Sequence, residues 1–305
     1  MKGIVFRSTG SWYEVHAEDQ KIYSCRIRGK LRLDGIKETN PIAVGDQVEF
    51  DLEDVGGAIT KILPRRNHIL RQSVKKTGHS HVLAANVDQV LLIATHKQPR
   101  TSLGFIDRFL VSAESFRIPQ LLIFNKKDLL NVTENQELKL ISQLYESIGV
   151  KTLLLSAIED DDLSQLSSLI HGKVTLVAGH SGVGKSTLLN RLSPAIEQSI
   201  GAISNFSNKG THTTTYAEMF QVDETTLIID TPGIKEWGLV DMNQQEISDY
   251  FPEMRELRSD CKFASRCLHL NEPKCKVIEA VQTGTIALSR YESYRSIVIG
   301  EDNRK

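Results

Sequence analysis

Gly179-His180-Ser181-Gly182-Val183-Gly184-Lys185-Ser186 spells the phosphate-binding pattern G-x-x-x-x-G-K-[ST] without a mismatch. The apolar run Val174 to Ala178 precedes it and the helix-forming stretch Thr187 to Leu192 follows, which is the strand, loop and helix order the pattern requires. Its glycines let successive backbone N–H groups turn inward toward phosphate oxygens at a helix N-terminus. The expected cradle is therefore Gly179, His180, Ser181, Gly182, Val183, Gly184, Lys185, Ser186 and Thr187, with Lys185 neutralising the β/γ oxygens and Ser186 reaching Mg²⁺.

Outward from this loop, short apolar runs alternate with amphipathic helical stretches from Asn86 onward, the signature of a parallel α/β sheet. Ligands of such sheets bind beyond the carboxyl ends of the strands. Asn125-Lys126-Lys127-Asp128 follows the run ending at Phe124, Ser156-Ala157 follows Leu155, and Asp230-Thr231-Pro232-Gly233 follows Ile229. The Asp128 carboxylate can accept from guanine N1–H and from its exocyclic amine, a pair that adenine lacks, so the site selects GTP and GDP. Asn125 bonds the other base edge and ties the base loop to the phosphate loop, Lys126 covers the ring face, and the Ser156-Ala157 backbone meets the guanine carbonyl. Asp230 would hold Mg²⁺ through water, and the Gly233 N–H would sense the γ-phosphate. The threonine-rich loop around Thr211 to Thr215 is the natural first switch, with Thr214 as its Mg²⁺ ligand.

These base-recognition motifs precede the phosphate loop, whereas in the common small GTPases they follow it. A circular permutation explains the order, because strand ends and not chain order define the site. The chain then leaves Gly233 directly for the C-terminal region, so nucleotide state is expected to shift that region's orientation.

The flanking regions have different chemistry. Residues 1–70 read as five short strands split by turn signals, Gly3 to Arg7, Trp12 to His16, Lys21 to Arg28, Asp46 to Leu52 and Ala58 to Leu63. They suggest a small barrel of the oligonucleotide-binding type, and an SH3-like barrel would read almost the same. Arg7, Arg26, Arg28, Lys30 and Arg32 near Trp12, Tyr13 and Tyr23 suit either an RNA-tracking surface or an ordinary solvated face. Residues 71–85 are polar and basic and read as a linker, residues 86–236 as the GTPase domain, and residues 237–305 as a helical domain. In the last, Cys261, Cys267, His269 and Cys275 supply a tetrahedral set of three thiolates and one imidazole, a structural zinc site. Helices are expected over Gln244 to Leu257, Val277 to Thr283 and Ile286 to Ile297.

With 305 residues and a net charge of −1, the chain is long enough for two or three domains, and any nucleic-acid surface has to be a local patch. No apolar stretch approaches membrane-spanning length and no signal-peptide core is present, so a cytoplasmic, monomeric protein is expected.

The rotated motif order between a barrel and a Cys-rich domain resembles the circularly permuted GTPases that assist maturation of the bacterial small ribosomal subunit, the RsgA family. The likeness runs through Pro64 to Asn67, Ala85 to Asp88, Asn125 to Asp128, Gly179 to Ser186, His212 to Thr215 and Asp230 to Gly233. It continues through Phe251 to Glu253, Cys261 to Phe263, His269, Glu272, Pro273, Cys275, Arg290, Tyr291 and Tyr294. It implies an RNA-binding barrel, GTP hydrolysis stimulated by the small subunit and its rRNA, and a zinc domain that also touches the ribosome. Two features depart from the family pattern: five residues separate Cys261 from Cys267 in place of four, and His180 replaces a glutamine as a loop side chain expected to face solvent. Ile234 stands where Ras-like enzymes carry a water-positioning glutamine, so hydrolysis is expected to be slow alone, with His212 as the candidate polar group that a partner brings into place. The competing readings are an ATP-dependent enzyme on the same phosphate loop and an RNA-binding module using nucleotide as a structural ligand.

Overall fold

The computed structural model describes residues 1–28, 41–72, 80–193, 217–231 and 242–301. The first five strands, β1 (Lys2–Ser8), β2 (Tyr13–Ala17), β3 (Ile22–Ile27), β4 (Gln47–Leu52) and β5 (Gly57–Ile62), close into a barrel in the order β1-β2-β3-β5-β4, with β4 returning to β1. β3 and β5 run parallel and the other pairs antiparallel, the arrangement of an oligonucleotide-binding barrel. Alternation puts Val5, Val15, Cys25, Val48, Phe50 and Ile59 inside, all of them fully buried.

The described residues of the segment expected to be a linker, 71–72 and 80–85, are strand. β6 (His68–Gln72) and β7 (Ser80–Ala85) pair antiparallel as a two-stranded sheet, and Ile69 and Ala84 enter the core of the next domain. The polar composition hid this because few apolar side chains of its described residues, Ile69, Ala84 and Ala85, are fully buried. Polar contacts around the hairpin tie the barrel to the central domain. Arg65 makes a bidentate pair with buried Asp46, at 2.7 Å for both contacts, and Asn67 exchanges two hydrogen bonds with the Val87 backbone.

The central sheet runs β10 (Lys151–Leu154), β9 (Gln120–Asn125), β8 (Gln89–Thr95), β11 (Val174–Ala178), β13 (Leu227–Asp230) and β12 (Glu218–Gln221). All neighbours are parallel except β12, which pairs antiparallel with β13 and, through Arg7 opposite Glu218, with β1 of the barrel. One eleven-stranded sheet thus joins the two domains. Alternate residues of the parallel strands feed opposite layers. Val90, Leu92 and Leu176 pack under α1 (Leu103–Ser115) and α2 (Val132–Ser147), whereas Leu91, Ile93 and Val177 pack under α3 (Ser164–Ile170) and α4 (Lys185–Leu192). β8 and β11 therefore flank a point where the chain changes face, and the crevice beyond their carboxyl ends is the expected ligand position.

The C-terminal region holds α5 (Pro252–Arg258), α6 (Lys276–Gln282) and α7 (Leu288–Ile299). The helix expected over Gln244 to Leu257 is two pieces, a 3₁₀ turn at Ile247–Tyr250 and then α5, because Pro252 has no N–H and fits only the first turn of a new helix. Val111 of α1 lies in the same apolar cluster as Phe251, Met254, Val277 and Tyr294, so the GTPase-type sheet and the helical region share a core.

Candidate nucleotide site and metal centre

The base motif and the phosphate loop meet at one side chain. Asn125 ends β9 fully inside the protein, donates from Nδ2 to the Val183 carbonyl at 2.8 Å, and accepts at Oδ1 from the Ala157 N–H at 2.8 Å. Three expected motifs are thereby fixed to one another. The Ala157 N–H is occupied by Asn125, so this loop's first task in the structure is internal.

Two glycines make that approach possible. Gly184, the cap residue of α4, has φ +93°, and a Cβ there would lie 2.4 Å from Asn125 Nδ2. Gly179 has φ +152°, and its Cβ would meet the Ile93 carbonyl at 2.4 Å. Gly182 packs beside Pro99, Ser181, Ser186 and Thr187 are exposed, and Val183 is buried.

Lys185 points into the loop, donating to the Gly179 carbonyl at 3.0 Å and the His180 carbonyl at 3.4 Å. Burial lowers its pKa, opposed by the nearby Asp230 carboxylate. Burial likewise raises the Asp230 pKa, opposed by Lys185, and Asp230 Oδ1 is buried with no hydrogen-bond partner. Asp128 Oδ1 is in the same position at the other end of the site. Two buried carboxylate oxygens left without donors, one beside the phosphate loop and one in the base motif, fit a magnesium nucleotide. Lys126 adopts φ +65° and its Nζ donates to the Gln98 carbonyl at 2.7 Å, bridging over the strand-end loop after β8. Ser156 is fully buried and its hydroxyl accepts from the Ile158 and Glu159 N–H groups.

His180 differs from expectation. Its ring is half-buried against Phe105 of α1, with centroids 3.9 Å apart, so it packs the phosphate loop onto α1 and does not face solvent. His212, Thr214 and Gly233 lie outside the described residues, as do Lys30 and Arg32 of the basic set. Of the other basic residues, Arg7 pairs with Glu218, Arg26 with Glu53 and Arg28 with Asp51, which offsets the barrel's positive charge, while Trp12 stays exposed.

The second site is Cys261, Cys267, His269 and Cys275, all buried, with ligand atoms within 4.8 Å of one another. His269 Nδ1 lies 3.2 Å from Cys275 Sγ and 3.6 Å from Cys261 Sγ, so Nδ1 is the ligating atom. Burial lowers the His269 pKa and raises that of the Cys267 thiol to about 12, leaving a neutral imidazole and, at Cys267, a thiol whose ionisation a cation would favour. The five-residue spacing is accommodated by a 3₁₀ turn at Ala264–Arg266, with Ala264 in the left-handed region at φ +43°. Glu272 accepts from the N–H groups of Leu268, Leu270 and Asn271 and holds the ligand loop closed.

The family model for the RsgA GTPase matches residues 62–240, and that for the RsgA N-terminal domain matches residues 2–59. The chain belongs to the RsgA GTPase family. Membership makes it a GTP hydrolase and implies GTP, GDP and Mg²⁺. Similar proteins include the "Small ribosomal subunit biogenesis GTPase RsgA" of Christiangramia forsetii, 48% identical over 99% of this chain and 97% of that one. The protein of the same name from Cytophaga hutchinsonii is 47% identical over 100% of both. Among solved structures, YjeQ from Thermotoga maritima superimposes with a TM-score of 0.78 at 32% identity, covering 100% of this chain and 99% of that chain. YloQ, described as a circularly permuted GTPase, gives 0.75 at 31% identity over 100% and 96%.

Several residues that organise this RsgA-type site carry no motif. Asp160 and Arg191 brace the Ser156-Ala157 loop, and the Asp160 position is one of a run of acids that pattern reading cannot separate. Arg290, part of the family likeness, binds Asp107 of α1 and Glu253 of α5, joining the GTPase domain to the helical domain that carries the Cys and His cluster. Among the described residues no helix is long and apolar enough to cross a membrane.

Proposed function

We propose that this chain binds the small ribosomal subunit, assists its late maturation, and hydrolyses GTP to GDP and phosphate under stimulation by that subunit. The observation that carries the reading is the Asn125 side chain bonded to both Val183 and Ala157, which makes the guanine motif and the phosphate loop one site despite their rotated order. The names of the relatives as small ribosomal subunit biogenesis GTPases supply the partner.

In the reaction water attacks the γ-phosphate in line, and the protein contributes position and charge. Lys185 offsets charge on the β/γ oxygens, the backbone from Gly179 to Thr187 orients them, and Asp128 with Asn125 fixes the base. Ser186, Thr214 and Asp230 would hold Mg²⁺, which supplies further neutralisation of phosphate charge. Gly233 senses the γ-phosphate, and His212 is the polar group that the partner brings to the attacking water. Zn²⁺ on Cys261, Cys267, His269 and Cys275 has a structural role, as four protein ligands leave no open position. The barrel, with Trp12 exposed, contributes an rRNA contact. The protein acts as a monomer in the cytoplasm, where subunits are assembled.

Turnover of GTP measured with isolated small subunits, with large subunits and with neither tests activity and partner together. Stimulation by the small subunit alone, uncompeted by ATP, is expected. Equal rates in all three arms would refute stimulation by the small subunit.

A further inference from the structure

The Ser156-Ala157 loop is held from both sides by residues outside every recognition motif. Asp160 Oδ2 accepts from the Ser156 N–H at 2.8 Å, and Asp160 Oδ1 lies 2.8 Å from Lys127 Nζ, inside the Asn125-to-Asp128 motif. From the opposite side, Arg191 on α4 donates Nη1 to the Ala157 carbonyl at 3.1 Å and Nη2 to the Asp161 carbonyl at 3.3 Å. α4 is the helix that the phosphate loop caps. One carboxylate therefore links the two base loops, and one guanidinium links the second of them to the phosphate-loop helix.

The geometry assigns Asp160 and Arg191 as positioning residues for guanine selection, acting through the loop and through the Lys127-Asp128 turn. The assignment rests on the guanine reading of the site. Asp128 Oδ1 is buried without a partner, so its discrimination depends on meeting the base edge in register. Such register is kept within about 0.5 Å only where supporting groups lock the first-contact residues. The loop is irregular backbone, and bonds to charged groups are the strong ones available to hold it. The phosphates are held by a separate loop whose glycine geometry does not involve Asp160. Loosening the brace should therefore weaken base discrimination more than it weakens phosphate binding.

The test is displacement of a fluorescent GDP by GDP, IDP and ADP, using wild type, Asp160→Ala, Arg191→Met and Lys127→Met. IDP lacks the exocyclic amine that one Asp128 oxygen would receive. The GDP-over-IDP preference is expected to narrow about tenfold in Asp160→Ala and Lys127→Met, the worth of one charge-assisted hydrogen bond. Arg191→Met should narrow it in the same direction. Melting temperature is recorded alongside, since a merely structural role would lower it and leave the ratio at the wild-type value. An unchanged ratio in folded Lys127→Met, whose side chain is 40% exposed and not needed for the core, overturns the assignment. If wild type itself does not prefer GDP to ADP, the guanine reading falls first and the assignment with it.

Discussion

Replacing Arg290 with methionine should unlock the GTPase domain from the C-terminal helical domain. The guanidinium is 2% exposed and faces two carboxylates, Asp107 Oδ1 at 2.5 Å and Glu253 Oε1 at 2.7 Å, with a second Glu253 contact at 3.3 Å. It also lies over the Phe251 ring at 4.6 Å. Burial by itself would lower its pKa, but Asp107 and Glu253 more than reverse this and the charge is held firmly. Asp107 is fully buried, accepts from Tyr145 Oη at 2.9 Å, and has Oδ2 without a partner. Removing the cation leaves two inward-facing carboxylates uncompensated, a change that costs about 3–5 kcal/mol where buried pairs have been broken. Hydrogen exchange resolved along the chain is the suitable assay, because a multidomain protein does not unfold in one step. Amides of α1, α5 and α7 should lose protection while the barrel keeps its own. The triple variant Arg290→Met, Asp107→Leu, Glu253→Gln should recover much of the loss, since no charge is then left unpaired. A single variant within about 1 kcal/mol of wild type, or a triple variant no better than the single, would show that the network is not what joins the domains.

Gly184→Ala should abolish nucleotide binding with the fold retained, because its Cβ would sit 2.4 Å from Asn125 Nδ2 and its φ is +93°; isothermal titration with GDP reads this directly. Asp230→Asn should stabilise the nucleotide-free protein at neutral pH while removing Mg²⁺-dependent affinity. In the fold the Asp230 carboxyl titrates above its ordinary 3.8, so folded protein keeps a proton that unfolded chain has released. Stability from this group is present below the unfolded value and lost as pH rises through the folded one, and a flatter pH–stability curve in the variant is the check. Chelation, or Cys275→Ser, should release one metal ion per chain and lower protection in α6 and α7, measured by metal analysis and hydrogen exchange. Unchanged protection after metal loss would mean that the apolar cluster around Phe251 and Tyr294 holds this region alone.

The nucleotide motifs were legible because each is a contiguous string at the end of an apolar strand, so chemistry and position coincide in the sequence. The five barrel strands were legible through alternation and their turns. The features that were not legible depend on contacts between distant residues. β12 is four residues long and draws its stability from β13 on one side and β1 on the other. Among its described residues the β6–β7 hairpin fully buries Ile69, Ala84 and Ala85, too little apolar surface to stand out from a basic stretch. His180 reads as a loop side chain because Phe105, which covers its ring, lies 75 positions earlier in the chain. The break at Phe251-Pro252 was readable, since proline inside a helical pattern marks a new start, and the periodic apolar residues around it masked the signal.

The rotated order has a mechanical consequence that the sheet makes concrete. β12 begins just after the segment that holds His212 and Thr214, and β13 ends at Asp230, so the strand that follows the threonine-rich segment and the strand that ends in the Asp230 motif lie side by side. The barrel is bonded to the outer edge of that pair through β1. On the opposite flank, α1 touches the phosphate loop through Phe105 and His180 and, two residues on, grips Arg290 of the helical domain through Asp107. In a GTPase with the usual order the chain termini fall elsewhere. Permutation moves the points of attachment without moving the ligand. Both appended domains thereby contact the nucleotide-binding domain beside the proposed site, the barrel through β12 and the helical region through α1. If the proposed small-subunit partner holds the barrel and the C-terminal helices together, β12 and α1 are the elements through which it would act on the site.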